Sequence, residues 1–116
     1  MGYRSEVYIG MPSGKINEIE DLSWEYPHYQ NQKGKDTTDF LDLFTKIKDD
    51  GDVHIYRGDW LKWYEGYNDV EQMKDVVEKH VEDGGFSVCV GEDEAIHSAQ
   101  GDYSEHIDIR TRVDIL

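Results

Sequence analysis

The chain opens on strict alternation. Over residues 4–11, Val7, Ile9 and Met11 fall on one side and Glu6 and Tyr8 on the other, the period of a half-buried strand. Pro12, Ser13 and Gly14 end it as a turn. Ile16, Ile19 and Leu22 recur at intervals of three, enough for a helical turn or two. Pro27, Asn31 and Gly34 then interrupt, with Tyr26, His28 and Tyr29 between them. The stretch 15–36 therefore reads as a loop or insertion carrying some packed aromatics. Residues 37–50 predict a helix, because Phe40, Leu41, Phe44 and Ile47 make one apolar stripe at helical spacing.

Residues 52–57 predict a strand, with Val53 and Ile55 on one face and His54 and Tyr56 on the other. Gly58 and Asp59 mark a bulge or tight turn, and 60–64 continue extended, as one bent strand or as a hairpin. The clearest helix spans 68–83, with Val70, Met73, Val77 and Val81 buried. Asn68 and Glu71 resemble a capping box at its start, and Gly84 and Gly85 stop it. Phe86, Val88 and Val90 predict a short strand, 91–102 an acidic loop, and 105–116 the most regular strand of the chain.

The order β-α-β(β)-α-β-β predicts a single α+β domain over residues 1–116. Its expected architecture is a two-layer sandwich, a mostly antiparallel sheet with two helices on one face. If 60–64 is a strand of its own, the order becomes the ferredoxin-like βαββαβ. Period two then places Tyr8, His54, Tyr56, His106, Asp108, Arg110 and Arg112 on an open sheet face.

Charge narrows the function classes. The 116 residues carry 12 Lys plus Arg against 26 Asp plus Glu, a net charge of −14. Direct nucleic-acid binding needs clustered cations for phosphates, and an anionic membrane surface would repel this chain. Aromatics at 12% separate it from acidic disordered chains, which lack them. No apolar run reaches the ~20 residues that cross a bilayer. The opening residues lack the apolar segment of a secretory signal, and Cys89 has no second cysteine to pair with. A cytoplasmic protein is expected.

Candidate chemistry is sparse. Glu92, Asp93, Glu94 and His97 lie close in sequence but match no metal-ligand spacing, so they read as a solvated loop and no metal is expected. Cys89 has acidic neighbours that oppose thiolate formation, so it reads as a packing residue. No nucleophile elbow, P-loop or dinucleotide fingerprint occurs. Neither an enzyme nor a cofactor is expected. Arg110 and Arg112 on one face with His54 and Tyr56 could fork onto a phosphate and stack on a base; cross-strand pairing with Asp108 and Asp114 is the competing account.

Two segments carry a resemblance. Met1-Gly2-Tyr3-Arg4-Ser5-Glu6-Val7 and Lys62-Trp63-Tyr64-Glu65, with the later Gly91-Glu92-Asp93, resemble a group of small phage and prophage proteins. The resemblance implies a phage gene expressed in a bacterial host, and brings no catalytic residues with it. Combined with the charge, it suggests an acidic protein that binds and inhibits a host or anti-phage defence protein having a basic surface, with nucleic-acid mimicry as one route. The charged part of the surface is expected from Glu71, Asp75, Glu78, Glu82, Glu92, Asp93 and Glu94, and the anchors from Trp60, Tyr64 and Tyr67. The alternative is a nucleotide-signal binder or sponge using His54, Tyr56, Arg110 and Arg112.

Overall fold

Among the described residues, strand β1 (Ser5–Pro12) runs through the middle of a five-stranded antiparallel sheet. A computed structural model describes residues 5–22, 43–50, 52–61, 63, 67–91 and 96–103. After β1 come α1 (Asn17–Glu20), β2 (Thr45–Asp50), β3 (Val53–Leu61), α2 (Asn68–Glu78), a 3-10 turn (Val81–Asp83), β4 (Phe86–Gly91) and β5 (Ile96–Gln100). The strands lie in the order β2-β3-β1-β4-β5, every neighbouring pair antiparallel. The result is the small α+β sandwich that the periodicity predicts, and among the described residues the elements named run β1-α1-β2-β3-α2, the 3-10 turn, β4-β5.

That order arises differently from the sequence expectation. Residues 45–50 are not helical but form strand β2, hydrogen-bonded to β3. Of the helix expected over 37–50, residues 37–42 lie outside the described residues, Leu43 is helical, and 45–50 are strand. Phe44 is buried in the core, whereas Ile47 is 39% exposed at a bulge where β2 has one residue more than β3. A ladder to β3 supplied what a weak local helical pattern could not. Residues 53–61 form one strand, not a hairpin, and its register against β1 slips between Gly58 and Leu61. Gly58 suits this bulge, since a Cβ there would stand 2.7 Å from Leu61 Cδ1 and 2.9 Å from Phe44 Cε2. Residues 96–100, read as loop, are strand β5, the last strand on the other side among the described residues. The strand expected at 105–116 lies outside the described residues.

The register decides which side chains share a face. Ile9 stands opposite Tyr56 and Ser87, and Val7 opposite Gly58 and Cys89. Val7, Ile9, Met11, Tyr56 and Cys89 accordingly pack with Ile19 of α1 and with Val70, Met73, Val76 and Val77 of α2. Burying each large apolar side chain contributes about 1.5–3 kcal/mol. Four-residue α1 has too few internal hydrogen bonds to persist alone, so Ile19, fully buried, is what holds it.

The opposite face is not open. Tyr8, Val53, Ile55, Phe86, Val88 and Val90 form a second buried cluster there, with Tyr103 packed against it. Tyr8 is therefore separated from His54 and Tyr56, which lie on the helix face. The sequence reading assigned every strand's apolar set to one face. In the structure β1 sends its apolar set toward the helices, while β3 and β4 send theirs away. Small Ser87 and Cys89 fit beneath the helices, and Gly10 leaves room for Phe86.

Candidate functional site

Helix α2 presents exposed charged side chains on a regular backbone. Tyr67, not Asn68, is its N-cap: the Tyr67 carbonyl accepts from Glu71 N–H at 3.0 Å, and no side chain caps the end. Asp69 and Glu71 occupy the first turn, where carboxylates meet the positive end of the helix dipole. One side of the helix is locked down by Val70, Met73, Val76 and Val77. On another flank Glu71, Asp75 and Glu78 are all exposed, at intervals of four and three residues, which puts them in one row. Glu82 and Asp83 are exposed on the 3-10 turn that follows. Helical structure ends at Glu78, earlier than expected, and the turn carries Val81 only half-buried. Half-buried Lys74 and exposed Lys79 are the cations on this helix and its end.

This row is physically joined to β5. Gln100 of β5 donates from Nε2 to the Lys74 carbonyl at 2.9 Å and to Glu78 Oε1 at 3.3 Å. Its Oε1 accepts from Ser87 Oγ of β4 at 2.6 Å. Just past this same C-terminal end of α2, His80 Nε2 meets Glu18 Oε1 of α1 at 3.0 Å. That hydrogen bond holds the Glu18 carboxyl below the usual glutamate range, against a smaller opposing effect of desolvation. Sequence reasoning missed Gln100, Ser87, Glu18 and His80. None sits in a motif, and Gln100 lies in a stretch without apolar alternation.

The other expected residues distribute unevenly. Tyr67 is half-buried against the helix-side core, so only part of its ring faces outward. Trp60 belongs to β3, while Tyr64, Glu92, Asp93 and Glu94 lie outside the described residues. Trp63, 6% exposed, packs edge-on against Phe44 with centroids 5.8 Å apart. Of the ligand set, Arg110 and Arg112 lie outside the described residues. Tyr56 is 6% exposed in the core, so its ring offers no surface on which a base could stack, and burial pushes its phenol upward. His54 Nε2 lies 3.4 Å from Asp49 Oδ1, which also pairs with Lys46 Nζ at 2.8 Å. Hydrogen bonding between Lys46 and Asp49 lowers the acid's pKa and raises the base's.

Among the described residues, no group of three or more His, Cys, Asp or Glu is placed to hold a metal ion. None of the described helices is long and apolar enough to cross a membrane. Compared with protein families, curated proteins and solved structures, the chain matches none of them.

Proposed function

We propose that this chain is a non-enzymatic, phage-encoded interaction protein whose acidic surface binds, and thereby inhibits, a host or defence protein with a basic surface. The observation that carries the reading is the exposed row Glu71, Asp75 and Glu78 on a helix whose opposite side is anchored in the core. A rigid backbone under the carboxylates means that little order must be gained on binding. The net charge of −14 would steer a basic partner toward the chain and speed encounter. The phage setting comes from the resemblance of the segments at 1–7 and 62–65.

Spacing bears on the mimicry route. Steps of four and three residues put successive carboxylates about 6 and 4.5 Å apart along the helix axis. One DNA strand carries a charge every ~3.4 Å. The α2 row is sparser than a phosphate backbone. Recognition of a basic surface is therefore the primary statement, and imitation of nucleic acid is its narrower form.

The test is capture from host lysate at low and raised salt, with identification of what is captured. The expected result is a basic protein held at low salt, released as salt rises, and inhibited in its own activity by the purified chain. Recovery of no basic protein under either condition would contradict the reading.

A further inference from the structure

Arg57, the one arginine among the described residues, holds its guanidinium in an uncommitted way. It stands on β3 opposite Tyr8 of β1 and Thr45 of β2, and shares a strand face with Val53 and Ile55, away from the helices. Its side chain is 42% exposed, yet Nε is buried and has no hydrogen-bond partner. A buried donor that makes no bond bears its desolvation cost with nothing to offset it. Native proteins leave few such atoms, and each calls for an explanation.

The nearby carboxylates show why the bond is not made. Glu6, two residues before Tyr8 on β1, accepts from the Tyr8 hydroxyl. Asp59 lies in the bulge that follows Gly58, with Oδ1 3.4 Å from Arg57 Nε. That is an ion-pair distance, longer than the about 2.7–2.9 Å of a charge-assisted hydrogen bond. The Asp59 side chain is 57% exposed, so solvent weakens the pair further.

A guanidinium presents its donors as a planar fork that matches two oxygens of one carboxylate or phosphate. Turning Arg57 outward breaks no hydrogen bond at Nε. Meeting an oxyanion there gives Nε the acceptor it lacks, so binding gains a bond as well as a charge contact. Exposed Lys48, opposite Ile55 on the same face, brings a second cation to this side. The net charge of −14 repels anions at long range, but that field decays over about 8 Å at physiological salt. Local groups therefore decide whether an anion stays.

We infer that Arg57 binds an oxyanion, gripping a phosphoryl or carboxylate group at two points on the sheet face away from the helices, with Asp59 competing for the same guanidinium. The site is separate from the acidic row of α2, and either can fail without the other.

The experiment uses the full chain labelled with nitrogen-15, and follows the arginine Nε–H signals by NMR. Inorganic phosphate and acetate are titrated separately at constant ionic strength. The Arg57 signal is the one that disappears in Arg57→Lys. It should shift saturably, and whichever anion moves it at the lower concentration sets the ligand as phosphoryl or carboxylate. Arg57→Lys keeps the charge and loses the fork, so the anion should bind about tenfold or more weakly, read from the β3 amide signals. Asp59→Asn, on an exposed side chain, removes the competitor and should tighten binding several-fold. No shift of the Arg57 signal with either anion would overturn the inference. Full affinity in Arg57→Lys, or unchanged or weaker binding in Asp59→Asn, would overturn it as well.

Discussion

Ser87 of β4 donates its hydroxyl to Gln100 Oε1 of β5 at 2.6 Å, and the same amide reaches the Lys74 carbonyl of α2 at 2.9 Å. One side chain thus joins β5 to its neighbour and to the helix above. Gln100→Ala would leave Ser87, only 6% exposed, without this acceptor. A lost bond with a partner stranded in the interior costs about 1–3 kcal/mol. Chemical denaturation should show that loss, and amide exchange should show it concentrated in β5.

Gly10 supports Phe86 from below. A Cβ at Gly10 would stand 2.7 Å from Phe86 Cζ, and the ring is fully buried with Tyr8, Ile55 and Val88 beside it. Gly10→Ala must push the ring into a filled cluster. Overpacking of this kind costs about 1–3 kcal/mol. A lowered melting temperature is the expected outcome, read by circular dichroism.

The contact between Glu18 and His80 ties α1 to the end of α2. Because the folded-state pKa of Glu18 is lowered, its contribution is present at neutral pH. That contribution is lost as pH falls through the depressed value. Wild type should therefore exceed Glu18→Gln in melting temperature at about pH 6, and the gap should close toward about pH 3. A gap that stays constant across that range would show that the carboxylate's charge is not what matters.

Cys89 is 5% exposed beneath the helices. A buried thiol reacts only when the structure opens around it. Maleimide labelling should be slow in the native chain and should accelerate with denaturant in step with global unfolding.

Some of this was legible in the residues. Strand β1, strand β4 and helix α2 each carry a strong period, and Val7, Ile9, Met11, Val70, Met73 and Val77 are buried as that period requires. The exposed carboxylates of α2 follow from the same helical wheel. Strand β2 was hidden because Ile47 falls in helical spacing with Phe44 and the residues before it, although it is 39% exposed and belongs to the strand. Strand β5 was hidden because a strand half in solvent needs a ladder but no alternation. The placement of Tyr56 required register, which depends on the bulge after Gly58 and on which neighbour β3 meets. No single-strand pattern holds that information. The role of Gln100 is likewise a property of three elements meeting.

The central claim is that the α2 row recognises a basic partner. Its most direct measurement is the affinity of the captured partner for wild type and for the triple variant Glu71→Gln, Asp75→Asn, Glu78→Gln, across about 0.05–0.3 M salt. The account predicts that the variant binds about tenfold or more weakly at low salt and loses less affinity as salt rises. Equal affinity with the same salt dependence would contradict it.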